Sequence, residues 1–333
     1  MKAMRVIAPG GLDRLVLAEV PEAVEPGAGE VRVRLQAGSL NRHDYAVAVG
    51  HIRVADGRIP LSDGAGVVVA AGEGAGFVPG DRVVSCFFPA WADGPPRIGD
   101  FSGTPGDGVD GYAREEVTAS AHWFTRIPAG YSAMEAATLP TAALTAWRAL
   151  GDGGLEAGDV VLVLGTGGVS IFALQFAVAA GATVIATSSS DEKLDRLRAL
   201  GVAHAVNYRS LPDWGRSIFD WTGGRGVDNV IEIGGAGTLG QSIEAVRVGG
   251  QISLIGALAG VKGDVPTLAL LKKQVRLQGM LVGSRRQQRD MIAAIEATAI
   301  RPVLDRVFPL AELADAFRYE KAGLHFGKIG IAI

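Results

Sequence analysis

Apolar residues change their spacing about a third of the way along the chain. Up to about Ile127 they alternate with polar ones: Val31, Val33 and Leu35 interleave with Arg32, Arg34 and Gln36, the period of two of a half-buried strand. Gly64 to Ala71 is a second strand candidate, and turn residues at Gly72–Gly76 and Val78–Asp81 lead to a third at Arg82–Ser85. Many short strands predict a barrel-like domain. Pro89 to Asp110, rich in glycine and proline and carrying Trp91 and Phe101, reads as a long surface loop able to border a site. Ser132 to Leu150 has a helical pattern.

Strands and helices then alternate. Val160 to Leu164 is a continuous apolar run, as a parallel-sheet strand buried on both faces requires. Gly165-Thr166-Gly167-Gly168-Val169-Ser170 follows, and Val169 to Ala180 is apolar almost all round, a helix pressed between sheet and neighbours. Thr183 to Thr187 is the next strand. Ser189 with Glu192 has capping-box spacing for a helix whose stripe is Leu194, Leu197 and Leu200. Four further strands are predicted at Ala205–Tyr208, Asp228–Ile233, Gln251–Ile255 and Val275–Leu281, with a helix over Leu239–Val248. Six strands complete a doubly wound sheet. A helix at Met291–Ala299, β structure over Arg301–Leu310 and a terminal strand over Gly327–Ile333 close the chain, the tail rejoining the first domain.

The glycine turn points to a phosphate. Gly165 permits a tight bend, Gly167 lets the backbone approach a diphosphate, and the first N–H groups of the helix carry partial positive charge. The third glycine of the usual fingerprint is Ser170 here, so a glycine-rich turn without ligand is the competing reading.

Composition narrows the field. With 333 residues, 48% of them hydrophobic, the chain can bury a large core in two domains. A net charge of −3 and no lysine- or arginine-rich run leave no footprint for nucleic acid. Cys86 is the single cysteine, which rules out an internal disulfide and any site built of several thiolates. No apolar run approaches the ~20 residues of a membrane span, and the N-terminal apolar stretch is too short for a secretory signal. A soluble cytoplasmic protein is expected.

Taken together, Ala37 to Asp44, Ser62 to Val68, Pro79 to Val83, Gly165 to Val169, Asn207 to Arg209, Val282 to Arg285 and Gly327 to Ile329 resemble the medium-chain dehydrogenase/reductase superfamily, in its zinc-free NADPH:quinone oxidoreductase-like branch. Nearly the whole chain takes part. The resemblance implies an α/β protein: a GroES-like β-rich catalytic domain (1–140 and 286–333) and a six-stranded Rossmann domain (141–285), with the active site in the cleft between them. It also implies a homodimer joined along the Val275–Leu281 edge.

Where zinc alcohol dehydrogenases of the superfamily carry cysteine, histidine and cysteine, this chain has Asn41, Ser62 and Thr141, none a good zinc ligand. No metal is expected. Without a Lewis acid, a quinone or α,β-unsaturated carbonyl is favoured, because conjugation spreads the arriving negative charge. Competing readings are a zinc-independent alcohol or aldehyde dehydrogenase and a non-catalytic NADPH-binding protein. The catalytic candidates are Asn41, His43 and Tyr45. Asn41 equally fits a turn, His43 a structural histidine and Tyr45 simple packing. For the cofactor, NADPH, the resemblance implies Asn41, Thr145, Gly165, Thr166, Gly167, Gly168, Val169, Gly256, Ala257, Leu281, Gly283, Ser284 and Arg285, the last two also fitting an ordinary helix entry. Ser188 stands where NAD enzymes of this fold carry an acid, and with Lys193 and Tyr208 it is expected to meet the 2′-phosphate.

Overall fold

The computed structural model describes all residues, Met1–Ile333. The chain forms two compact units, residues 1–144 with 282–333, and residues 145–281. In the first unit, β1 (Lys2–Val6) and β2 (Leu15–Glu19) form an antiparallel hairpin. β3 (Glu30–Ser39) is the axis of the larger sheet. It is followed by α1 (Arg42–Ala48), β4 (Asp63–Ala71), β5 (Arg82–Ser85), β6 (Glu116–Ser120) and β7 (Phe124–Arg126). β3 pairs along its length with β4, and its other partners divide the rest between them: β6 takes residues 30–34 and the C-terminal strand takes 37–39.

The alternation seen in the sequence places Val31, Val33 and Leu35 in the core with Val68, Val83, Val117 and Phe124. α1, the hairpin and the helix over Leu313–Lys321 escape prediction because their apolar residues are few and pack only against distant parts of the chain, as Tyr45, Met4 and Phe317 do in one shared cluster.

The predicted helix over Ser132–Leu150 is interrupted. α2 (Ala133–Ala137) and α3 (Leu144–Asp152) are separated by one π-helical segment, Leu139–Ala143. Pro140 within it lacks an N–H, which breaks the regular hydrogen-bond ladder. Thr141 sits in this wider turn.

The second unit is a parallel sheet of β8 (Val160–Leu164), β9 (Thr183–Ser188), β10 (His204–Asn207), β11 (Val227–Glu232), β12 (Val246–Leu254) and β13 (Arg276–Gly279). The strand order is β10-β9-β8-β11-β12-β13, the doubly wound order whose direction reverses between the first and fourth strands. α4 (Gly168–Ala179), α5 (Asp191–Ala199), α6 (Trp214–Trp221), α7 (Ala236–Ala245) and α8 (Thr267–Lys273) connect them. Two expectations shift here. α5 is capped by Ser190, whose hydroxyl accepts the Lys193 N–H at 3.4 Å, rather than by Ser189. The helix predicted to Val248 stops at Ala245, because β-branched Val246 and Val248 favour the extended backbone of β12.

β13 is an edge strand. Beside it Leu268, Leu271, Leu277 and Val261 are exposed. α9 (Arg285–Thr298), β14 (Leu304–Pro309), α10 (Leu313–Lys321) and β15 (Lys328–Ala332) return to the first unit, where β15 pairs with β3. α9 starts six residues before the predicted helix because Ser284 and Gln287 form a capping box ahead of the apolar stripe. No helix is long and apolar enough to cross a membrane.

Close backbone approach explains one glycine of β4. A Cβ on Gly66 would lie 2.0 Å from the carbonyl oxygen of Arg34 in the neighbouring strand, whereas one on Gly240 of α7 would meet nothing within 4 Å. Gly66→Ala is therefore expected to destabilise the protein by about 1–3 kcal/mol. Gly240→Ala is expected to be neutral or to stabilise by up to about 1 kcal/mol. Denaturant midpoints of the two variants check this; equal midpoints would show that β4 can move away from β3.

Candidate active site and cofactor-binding residues

Every parallel strand of the second unit ends on the same edge of the sheet, and the expected cofactor residues Gly165, Ser188, Tyr208, Gly256, Ala257 and Leu281 follow those ends. Gly165 has φ of 72°, which only glycine adopts without strain, and the Gly165-Thr166-Gly167-Gly168 turn stands at the switch point beside β11. The first backbone bond of α4 runs from the Ile171 N–H to the Gly167 carbonyl. The N–H groups of Gly168, Val169 and Ser170 therefore precede the helical ladder. A Cβ on Gly167 would meet nothing within 4 Å, so its surroundings are open where a diphosphate would approach. Ser170 takes the third glycine's place without crowding, because it is buried and its hydroxyl donates to the Leu164 carbonyl at 2.6 Å. These residues fit a dinucleotide diphosphate.

The next corner is polar. Ser188 ends β9 opposite Asn207 of β10. Its carbonyl accepts the Tyr208 N–H at 3.1 Å, and its hydroxyl oxygen accepts the Ser190 N–H at 3.3 Å, leaving the hydroxyl proton to donate. Lys193 lies on the first turn of α5 and Tyr208 is exposed. The first turn of α5 also carries Asp191 and Glu192, and the Asp191 carboxylate accepts from Asn207 Nδ2 at 2.8 Å.

Glu232 was not singled out from sequence, although it is fully buried at the end of β11. Its carboxylate accepts from the Gly234 and Gly235 N–H groups and from the Thr238 and Ser242 hydroxyls. It thereby shapes the loop that packs on Gly256 and Ala257, where added Cβ atoms would strike backbone. The signal was an acid followed by two glycines and then hydroxyls at helical spacing.

Thr145 is buried at the start of α3. Leu281 accepts from Arg148 Nη1 through its carbonyl at 3.1 Å. Gly283 packs against Leu144. Ser284 and Arg285 are engaged within the first unit: Ser284 caps α9 with Gln287, and the Arg285 guanidinium donates to the Phe124 carbonyl. The helix-entry reading accounts for both.

In the first unit a buried polar network occupies the positions compared with zinc ligands. Asn41 Nδ2 donates to Asp63 Oδ2 at 2.8 Å and Asp44 Oδ2 at 3.1 Å, with Ser62 Oγ at 3.4 Å. Thr141 Oγ1 donates to Asp63 Oδ1 at 2.6 Å and Ser39 Oγ to Asp63 Oδ2 at 3.0 Å. Asp44 accepts the N–H groups of Asn41 and Ser62. At its centre is Lys328 of β15, whose ammonium donates to Asn41 Oδ1 at 2.7 Å and the Leu40 carbonyl at 2.5 Å and lies 3.8 Å from Asp63 Oδ2. Lysine at this spot, missed from sequence beyond its place in a motif, supplies the network's buried positive charge. Nowhere do three or more His, Cys, Asp or Glu side chains converge in a way that would hold a metal ion.

Burial pushes Asp63 up to about 6, against the pull of Lys328 and with Asp44 adding to the rise. It pushes Asp44 up as well, and the Lys328 ammonium down. Both hydrogens of the Asn41 amide and its oxygen are engaged inside the protein, so donation to a substrate requires breaking one of these bonds. Tyr45 packs against Phe317 in the core under Arg42. His43 is more open to chemistry. Its ring stacks on Phe101 at 4.6 Å and meets Phe87 edge-on, with Phe88 and Trp91 completing an aromatic wall. Its Nε2 is 3.0 Å from Asp107 Oδ2 without hydrogen-bond alignment. Cys86 is buried and pushed up to about 12, which removes it as a nucleophile.

Asp63 makes stability depend on pH. Between 3.8 and about 6 the folded protein holds a proton there that the unfolded chain has lost, so the folded state binds more protons and stability falls as pH rises through that window. In Asp63→Asn this component should vanish, and the variant should be less stable above it by about 3–5 kcal/mol, because Lys328 loses its counter-charge. Unfolding midpoints measured across the window test both; an unchanged pH slope in the variant would contradict the assignment.

Comparison with known proteins agrees with both units. Residues 27–129 match the alcohol dehydrogenase GroES-like domain and residues 168–297 the zinc-binding dehydrogenase family. A zinc-type alcohol dehydrogenase-like protein of Schizosaccharomyces pombe is 42% identical over 326 residues, covering 95% of this chain and 93% of that protein. The solved structure of an NAD-dependent alcohol dehydrogenase is similar with a TM-score of 0.90 at 34% identity, covering 100% of both chains. The quinone oxidoreductase from Coxiella burnetii has a TM-score of 0.81 at 26% identity, covering 100% of this chain and 99% of that one. The sheet order, the glycine turn at the switch point and these matches lead to one conclusion: the chain belongs to the medium-chain dehydrogenase/reductase superfamily and is an NAD(P)-dependent oxidoreductase of the alcohol dehydrogenase and quinone oxidoreductase type.

Proposed function

We propose that the protein is a cytoplasmic NADPH-dependent reductase of quinones or α,β-unsaturated carbonyl compounds that works without catalytic zinc. The observation that carries this reading is the closed network in which Asn41, Ser62 and Thr141 bond to Asp63 and Asp44 around the Lys328 ammonium. Those side chains offer amide and hydroxyl groups rather than thiolate and imidazole, and the two carboxylates already have a counter-charge. An isolated alcohol gains little activation there, whereas a conjugated acceptor needs only hydrogen-bond donors and positioning. The aromatic wall of Phe87, Phe88, Trp91 and Phe101 around His43 suits a planar acceptor. The Coxiella burnetii relative is a quinone oxidoreductase, which points the same way.

Bound reduced nicotinamide supplies the hydride. The chain's residues do the rest: the Gly165–Val169 turn holds the diphosphate, and the aromatic wall with His43 positions the acceptor. Ser188, Lys193 and Tyr208 read the 2′-phosphate, Ser188 because a carboxylate there would repel it.

A panel of quinones, enals, aldehydes and alcohols with both cofactors tests the reading. Chelator-resistant oxidation of NADPH by quinones or enals is expected; absence of turnover, or alcohol oxidation lost on removing bound zinc, overturns it. One charged contact to the 2′-phosphate contributes about 1.5–3 kcal/mol, roughly ten- to hundredfold in affinity. Lys193→Ala should therefore raise the KM for NADPH by about that factor and leave NADH kinetics nearly unchanged, while Ser188→Asp should narrow or invert the preference. Equal losses for both cofactors would show that Lys193 does not read the phosphate.

We also propose a homodimer, joined by pairing of the exposed β13 edge and burial of Leu268, Leu271 and Leu277. Light scattering should give twice the chain mass at micromolar concentration, and a monomer in Leu271→Lys. A monomeric unmodified protein contradicts this.

A further inference from the structure

Reduction of a conjugated acceptor by hydride leaves an oxyanion or enolate that needs one proton, and the network of the first unit is built to hold one. Three carboxylates, Asp44, Asp63 and Glu320, act on a single buried ammonium, Lys328. From α1, Arg42 acts through its charge on Glu320 and His43 on Asp44. Asp63 and Lys328 are almost wholly buried. Two members reach toward the outside of the cluster: Thr141, half-buried in the π-helical turn, and Glu320, half-buried on α10. Glu320 Oε2 is buried without a hydrogen-bond partner, an arrangement that costs a carboxylate least when it is protonated.

We propose that Thr141, Asp63 and Lys328 form a proton-delivery chain, with the Thr141 hydroxyl as donor to the reduced acceptor and the Asp63–Lys328 pair as the store behind it. The inference rests on the reductase reading above and names the proton source for that same site. Bound reduced nicotinamide would supply the hydride, a proton with two electrons, and would itself be left oxidised. The Thr141 O–H bond then breaks as an O–H or C–H bond forms on the product. Across the 2.6 Å contact the Asp63 O–H bond breaks and the Thr141 O–H bond is restored. Asp63 is left as a carboxylate facing the Lys328 ammonium 3.8 Å away, and a proton from solvent reloads it. When Asp63 is ionised Thr141 donates to it; when Asp63 is protonated the direction of that bond reverses, and the threonine hydroxyl donates to the product.

The titration behaviour is consistent with this order. Asp63 is pushed up to about 6 by burial, with Asp44 adding to the rise and Lys328, Asn41 and Thr141 opposing it. Tyr112 also feels its charge. Glu320 is pushed up to about 7 by burial and Asp44, with Lys328 and Arg42 opposing.

The test combines kinetics with a measurement that needs no cofactor. In the cofactor-free protein, infrared difference spectra should show a carboxylic-acid carbonyl band that titrates near 6 and is missing in Asp63→Asn. A wild-type protein without that band overturns the proposal. In turnover with NADPH, Thr141→Val should lower kcat by about a hundredfold, with the KM for NADPH unchanged, and should abolish the fall of kcat above the Asp63 titration. Thr141→Ser should restore both. If Thr141→Val keeps the wild-type kcat and pH profile while His43→Gln loses them, His43 is the donor and the proposal fails. Thr141→Val removes one hydroxyl at a half-buried position, so its folding does not depend on the outcome for Asp63→Asn. Absence of any NADPH-dependent reduction in the wild type would instead overturn the reductase reading, and the infrared band would still decide whether Asp63 stores a proton.

Discussion

A lysine ammonium with its charge buried inside a β-rich unit is the constraint on which much of the first unit depends. Removing an ion from water costs several kcal/mol even after the protein relaxes, so Lys328 is tolerable only where its charge and its protons are all answered. Asp63, Asn41 and the Leu40 carbonyl answer them. This demand couples distant parts of the chain: Lys328 belongs to the terminal strand β15, Leu40 and Asn41 follow β3, and Asp63 opens β4. The β15–β3 pairing is short, from Gly330 opposite Ser39 to Ala332 opposite Ala37, and the charged contacts extend it to Leu40 and Asn41. The same interaction explains why Asn41 is held rather than free: its oxygen is committed to Lys328, which turns its amide hydrogens toward the two aspartates.

The second unit solves a related problem with carboxylates at both ends of one strand. Asp228, near the start of β11, accepts from the Val160 N–H and from Arg225 and Arg247, stitching the strand beginnings together. Glu232, at the end of β11, accepts four donors and shapes the loops where the strands finish. Neither acid is available for chemistry, because each is satisfied within the fold. Their work leaves the glycine turn after β8 and the Ser188 corner after β9 as the groups that face outward from the carboxyl edge. A rigid frame with permissive turns is what a dinucleotide site requires.

The long loop after β5 illustrates how an irregular segment is ordered. Phe87, Phe88, Trp91 and Phe101 pack on one another and on His43, so the loop is ordered by aromatic burial rather than by regular hydrogen bonding. Asp107 comes from the same loop to stand 3.0 Å from the imidazole. Burial of the wall and placement of the histidine are thus one event.

Regular elements were legible wherever their physical cause is local. Alternation along Val31–Leu35, the apolar run Val160–Leu164 and the glycine turn at Gly165–Gly168 each record a periodicity or a backbone requirement that a few adjacent residues impose by themselves. The cap of α5 moved by one residue because Ser189 and Ser190 are chemically equivalent to a reader of spacing, and only the backbone bend decides which faces Lys193. The absence of good zinc ligands at Asn41, Ser62 and Thr141 could also be read from residue type alone. What could not be read is that these side chains close on Lys328, that the Arg285 guanidinium donates to the Phe124 carbonyl, or that Tyr45 is core. Each of these is a contact between residues tens or hundreds of positions apart, or a choice between two uses of the same polar group. Chain order carries no record of which use wins; that is decided by which partner lies within hydrogen-bond reach once the sheets have formed and water has been excluded.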